Sequence, residues 1–293
     1  MTYNFNLRKL KKKINFREYL IKNTGLSLSK ITRISYDLQS GSYTKIYNRL
    51  HKDKNKHMHL DNMKNLSKYL KNKDLKTILD FGTGEGNKLP YILRSNKEIK
   101  KIFACDVSFN RLCVGHDFLK KELNQKELSK VILFCNEDFE LPFKNSSLDV
   151  VYTSGVLENM STKKMNEMIL ELLRVTKKRL ILIEPRKKNI TKTDLLRMKK
   201  FKLNFNVNNV LKKNKIKFKE DKWHSIRSVQ TPYSIRIIDK KTKSFNESNF
   251  YIKNENYPFF KKNNFLYNKL GKIIPLLNHI AIFRPLSDLY FFK

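Results

Sequence analysis

The sequence is poor in the residues that usually announce how a chain is held together. It has three cysteines, Cys105, Cys113 and Cys135, too few and too irregularly spaced for a disulfide framework or a zinc-ligand set. They read as core thiols in a reducing compartment, and no metal site is expected. Glycine and proline number only eight and seven, and no internal repeat or low-complexity tract stands out beyond a bias to lysine and asparagine. Long apolar runs are missing too. A spanning helix needs about 20 apolar residues, and the best window, Ile273 to Phe283, lies between Lys272 and Arg284 and is broken by Pro275. At the N-terminus, Arg8, Lys9 and Lys11 to Lys13 precede an amphipathic Phe16/Tyr19/Leu20 pattern instead of the apolar core of a signal peptide. The expectation is a cytoplasmic protein that does not cross a membrane.

Acidic residues are the other shortage. Against 62 Lys+Arg there are 27 Asp+Glu, a formal charge of +35. Such an excess suits anionic partners, whether nucleic acid, acidic lipid surfaces or phosphorylated substrates. It equally suits solvated faces filled with lysine, which far outnumbers arginine here and runs with Asn and Ile. What is present is enough for a packed domain: 293 residues, 40% apolar and 12% aromatic.

Residues 1–55 read as an N-terminal helical segment, with a helix stop near Gly25 and a polar aromatic connector from Tyr36 to Tyr43. A second helix is expected over His57 to Leu70. From Lys76 short apolar runs alternate with helical stretches, which predicts βαβ units and a parallel sheet. The expected strands are Thr77 to Phe81, Ile102 to Cys105, Val131 to Cys135, Leu148 to Thr153 and Leu180 to Ile183, with Lys163 to Val175 the clearest helix. Lys215 to His224 and Tyr233 to Asp239 make a closing pair. The division expected is 1–55 as helical segment and lid, 56–240 as core, and 241–293 as a basic aromatic extension without a clear period.

The first strand runs into Asp80-Phe81-Gly82-Thr83-Gly84-Glu85-Gly86, and a helix follows. Glycines allow a tight turn and close ligand approach, and the helix N-terminus suits an anion. A dinucleotide fingerprint needs Gly-x-Gly-x-x-Gly; these glycines fall as Gly-x-Gly-x-Gly. Asp106 ends the next strand, placed for ribose hydroxyls or for capping the helix after it. Then come Glu137-Asp138 with Leu141-Pro142-Phe143, and Asp149-Val150-Val151.

Taken together over residues 75–186, these motifs resemble the class I, seven-strand S-adenosylmethionine-dependent methyltransferases, in particular the small-molecule branch that includes quinone-biosynthesis C-methyltransferases. Arg174-Val175-Thr176-Lys177 before Leu180 to Pro185 resembles that branch's last helix and fifth strand. The resemblance implies an α/β fold, a Rossmann-like seven-stranded, mostly parallel sheet with helices on both faces. It implies that Asp80, Gly82, Thr83, Gly84 and Gly86 hold the methionine moiety of S-adenosylmethionine and Asp106 its ribose, with Val107 beside them. Glu137 and Asp138 take the adenine place, and Ser154 with Gly155 the methyl-transfer pocket. Three positions depart from the family: Glu137 for the commoner Asp, Asn159 where many relatives have His, and Lys178-Arg179 in place of proline and glycines in a loop before the fifth strand. Glu158, His224 and Tyr36 are the candidate bases, and Tyr36 and Tyr43 read either as packing aromatics or as a lid.

The acceptor expected is a small molecule, a glycan or a lipid-linked compound, with a peripheral contact to anionic membrane suggested by the basic aromatic run from Tyr257 to Phe292. An RNA methyltransferase is the rival reading, favoured by charge. Nucleic acid is the less favoured partner, because Thr153-Ser154-Gly155-Val156 stands where base-amino methylases carry Asn/Asp-Pro-Pro-Tyr. A non-catalytic binding module on the same scaffold is the third.

Overall fold

The computed structural model describes residues 15–52, 66–70, 74–136, 140–187, 190–223, 233–240, 260–262, 265–267, 273–277 and 280–283. Strands β1 (Thr77–Phe81), β2 (Lys101–Asp106), β3 (Val131–Asn136), β4 (Leu148–Ser154) and β5 (Thr176–Pro185) lie side by side and parallel in the order β3-β2-β1-β4-β5. Beyond β5, the hairpin of β6 (Lys219–Trp223) and β7 (Tyr233–Asp239) closes that side, with β7 antiparallel to β5. These seven strands are the sheet expected from the sequence.

Alternation along the strands divides the core in two. Ile78, Ile102, Ala104, Val150, Tyr152, Ile181 and Ile183 pack one way, against α4 (Leu89–Ser95) and α5 (Phe109–Glu122). Leu79, Phe103, Cys105, Val151, Leu180 and Leu182 pack the other way, against α7 (Thr162–Val175) and α9 (Val207–Lys213). The remaining short helices are α6 (Gln125–Leu128) and α8 (Lys192–Phe201). Before the sheet, α1 (Phe16–Asn23) and α2 (Leu28–Leu38) share a small core of Leu20, Ile31 and Ile34, and α3 (Ser42–Lys52) follows.

The structure departs from expectation in three places. Among the described residues four strands extend the seven, because the supposedly aperiodic tail carries β8 (Phe260–Lys262), β9 (Phe265–Tyr267), β10 (Ile273–Leu277) and β11 (Ile280–Phe283). β11 pairs parallel to β3, and β10, β9 and β8 meander outward antiparallel. Strands of three to five residues are too short to show a period. Second, the polar connector from Tyr36 to Tyr43 is mostly helix: Ser27 caps α2, whose Ile31, Ile34 and Leu38 carry it to Leu38, and α3 resumes at Ser42. Third, no loop separates α7 from β5, so Lys178 and Arg179 are strand residues. Arg179 pairs with Asp239 of β7 at 2.6 Å, which explains a charged start to a strand.

Candidate active site

All the carboxyl ends of the parallel strands open on one cavity of about 620 Å³. Its floor is the turn after β1. Gly82 and Thr83 donate their N–H groups to Cys105 O, both at 2.8 Å, which ties the turn to the end of β2. Gly82, Gly84 and Gly86 all have positive φ, at 77°, 62° and 67°. A Cβ on Gly82 would lie 2.3 Å from a Val156 methyl, so only glycine fits between the turn and the loop after β4. Gly115 of α5 is as constrained, for its Cβ would meet the Glu85 backbone at 3.0 Å.

Asp80 is buried at the end of β1, where its Oδ2 accepts from Thr83 Oγ1 at 2.8 Å. Its Oδ1 has no hydrogen-bond partner. Tyr152, its register neighbour on β4, interacts with it electrostatically, and burial pushes the carboxyl's pKa up. Asp106 fastens the loop: Gly84 N donates to Oδ2 at 2.8 Å and Ser108 N to Oδ1 at 2.9 Å. Burial raises its pKa also, partly offset by Arg111. Ser108, not Asp106, is the N-cap of α5, so the capping explanation of Asp106 does not apply. Val107 and Ser154 line the cavity. Glu137, Asp138 and His224 lie outside the described residues.

The N-terminal helices roof the cavity, held by residues that sequence reasoning passed over. Glu85, between two of the loop glycines, accepts from the backbone N–H groups of Gly41 (2.9 Å) and Thr44 (2.6 Å) and from Thr44 Oγ1 (2.6 Å). A loop carboxylate thereby caps α3. In return, Asp37 of α2 accepts from Ser108 Oγ at 2.6 Å and Asn110 N at 3.3 Å at the start of α5. Arg111 of α5 is sandwiched between the rings of Tyr36 and Tyr43, 4.3 and 4.7 Å from their centroids, with Nε and Nη2 making no hydrogen bond. The two tyrosines thus pack on Arg111 and line the cavity.

Opposite the glycine loop, the turn after β4 carries Glu158 and Asn159. Tyr233 donates its hydroxyl to Glu158 Oε1 at 3.3 Å. Burial, and then the negative charge of Glu184, push the Glu158 pKa up to about 7, with Arg197, Tyr233 and Arg17 pulling the other way. Asn159 is a fastener: its Oδ1 accepts from Arg17 and from the Tyr36 hydroxyl at 3.2 Å, and its Nδ2 donates to Val156 O at 3.2 Å. Tyr36 is buried, which raises its phenol pKa well above the ordinary value and makes it a poor base. Arg17 and Arg197 also border the cavity, and neither carried a signal in the sequence.

The cradle fits S-adenosylmethionine. Three positive-φ glycines leave backbone open to close approach, and the unpartnered Asp80 Oδ1 suits the cofactor's ammonium. Residues 79–183 match the family model described as "Methyltransferase domain". Magnesium protoporphyrin IX methyltransferase (ChlM) from Synechocystis PCC 6803 with bound SAH has a TM-score of 0.56 at 15% identity, over 73% of this chain and all of that one. The cyclase SpnF gives 0.55 at 17% identity, over 72% of this chain and 96% of that one. No curated protein matches the chain significantly in sequence. The fold is that of the class I S-adenosylmethionine-dependent methyltransferases, and residues 79–183 match a methyltransferase domain within it. S-adenosylmethionine is the cofactor that the cradle fits.

Proposed function

We propose that the protein transfers a methyl group to a small-molecule acceptor from which Glu158 removes a proton. The observation that carries this reading is Glu158 itself: a half-buried residue on the wall of the cavity that the glycine loop floors, its carboxyl pushed up to a pKa of about 7 by desolvation and Glu184. A cavity of about 620 Å³ is within the ~300–1,000 Å³ of small-molecule sites. Bound there, S-adenosylmethionine supplies a methyl on a sulfonium, which leaves as a neutral thioether.

The chain's own residues orient and shield. Asp80, Gly82, Thr83, Gly84 and Gly86 hold the methionine moiety, and Asp106 and Val107 the nucleoside. Ser154 borders the transfer pocket. Alignment with water excluded is worth up to about 7–11 kcal/mol, and a positioned base about 10²- to 10⁴-fold more. Tyr233 keeps the Glu158 carboxylate turned, and Tyr36 with Tyr43 covers the site. The test is turnover with a candidate acceptor library: methyl transfer by wild type and its loss in Glu158→Gln at unchanged S-adenosylhomocysteine affinity support the reading; full activity of that variant refutes the base.

A lipid-linked acceptor met at an anionic membrane surface is a second reading, favoured by α8. Leu195 and Leu196 are 48% and 67% exposed, with Lys192 and Lys199 a turn away, and the same helix borders the cavity through Arg197 and Phe201. No described helix is long and apolar enough to cross a membrane.

A further inference from the structure

We infer that the methyl acceptor carries an oxyanion, a carboxylate or a phosphate, which Arg17 and Arg197 receive beside Glu158. The inference rests on the methyl-transfer reading above and adds the chemical class of the acceptor. Arg17 comes from α1, 142 residues before its partner Asn159, and the residue is 7% exposed. Nε donates to Phe201 O at 3.0 Å and Nη1 to Asn159 Oδ1, but Nη2 has no partner. Burial lowers its pKa, while Tyr36 and Glu158 pull it back up. A buried guanidinium with an unused donor is costly unless something completes it.

In the cavity wall, Tyr36 and Glu158 offset Arg17 only in part. Arg197, on α8, also acts electrostatically on Glu158, and its ion pair with Asp194 is long at 3.9 Å. Lys164 Nζ reaches the same wall, hydrogen-bonded to Ser29 Oγ at 2.7 Å. Arg17, Arg197 and Lys164 therefore share this wall with Glu158, which burial and Glu184 keep about half protonated near neutral pH. An acceptor with no charge would leave the buried Arg17 Nη2 without an anionic partner. One with a carboxylate or phosphate presents the planar or three-oxygen geometry that guanidinium forks take in pairs. Its anionic group and its reacting atom would then sit on either side of Glu158, so that the clamp selects and orients at once.

Trp223 is the protein's sole tryptophan and lines this cavity, so its fluorescence reports occupancy. With S-adenosylhomocysteine bound, the protein is titrated with benzoate, phenyl phosphate and neutral methyl benzoate. Saturable quenching by one or both anions, about 10-fold or more tighter than by the ester, is expected, and whichever anion binds better names the group. Arg17→Gln should weaken the anions by about 10- to 100-fold, spare the ester and S-adenosylhomocysteine, and be partly rescued in Arg17→Lys. Equal binding of ester and anions, no saturable anion binding, or a folded Arg17→Gln protein that binds anions as wild type does, each overturns the inference. Wild-type protein that fails to bind S-adenosylhomocysteine would instead count against the methyltransferase reading, and an unfolded variant leaves the wild-type comparison to decide.

Discussion

The two walls of the cavity are built on opposite plans. The cofactor wall is backbone: three positive-φ glycines and N–H groups spent on Cys105 O, with Asp80 and Asp106 at strand ends within 27 residues of chain. The acceptor wall is side chain: Arg17, Tyr36, Glu158, Arg197 and Tyr233, drawn from five elements across the length of the protein. A backbone wall admits few substitutions and gives every member of a class the same ligand. A side-chain wall can change by point mutation and so carries what is particular to this protein. Rigidity and identity are in this way assigned to different walls.

The sharpest way to break that comparison is Glu158→Gln, which removes the base and leaves the volume. It should cut kcat by about 10²- to 10⁴-fold with S-adenosylhomocysteine affinity unchanged in calorimetry. A matching loss of cofactor binding would show that the walls are not separable. Because the base works ionised and its pKa is raised to about 7, wild-type kcat should climb as pH rises through 7 and fall about tenfold per unit well below it. A flat profile between pH 5.5 and 8 would remove Glu158 from the chemistry.

On the cofactor wall, Asp106→Ala should weaken S-adenosylhomocysteine by about 1.5–3 kcal/mol, the size of hydrogen bonds to a charged group, while leaving the acceptor preference intact. Unchanged affinity with a lower melting temperature would leave it only the loop-fastening role seen at Gly84. Smaller still is the effect expected of Leu195→Gln with Leu196→Gln: weaker sedimentation with phosphatidylglycerol vesicles at unchanged charge, and no change in cofactor affinity. Vesicle binding that ignores the leucines and follows salt alone would assign it to the +35 charge. The same charge underlies the rival RNA reading, for which affinity would drop about 10³-fold or more between 50 and 200 mM salt; cofactor affinity should barely move.

Legibility follows the same division. β1 could be read to the residue, because an apolar run meeting a glycine turn is a local signal, and the Gly-x-Gly-x-Gly spacing with the motifs after it carried the resemblance that implies the cofactor. Glu158 was one of three candidates, and what set it apart, burial beside Glu184 of β5, is a property of the fold. Arg17 could not be found at all, since a lone arginine in an amphipathic helix looks like a solvated one until α8 and Asn159 close over it. Lys178 and Arg179 misled for a related reason: the resemblance put them in a loop, whereas a strand start paired to Asp239 tolerates their charge. Glu85 had a faint signal, an acidic residue set among glycines where an anion site would not want one. Its proper partner was three N–H groups of a helix start 41 to 44 residues earlier.

The return of β11 to β3 has a practical consequence. Ala281, Ile282 and Phe283 pair with Phe134, Cys135 and Asn136, covering the outer margin of the strand next to the cofactor side. Cutting the chain at Lys240 would seem to leave the seven strands whole, yet it would bare a row of unpaired N–H and C=O groups along an apolar strand. Such an edge is a template for another molecule's strand. Trimming this protein to its catalytic minimum should therefore yield aggregates, and the tail is best understood as a guard on solubility.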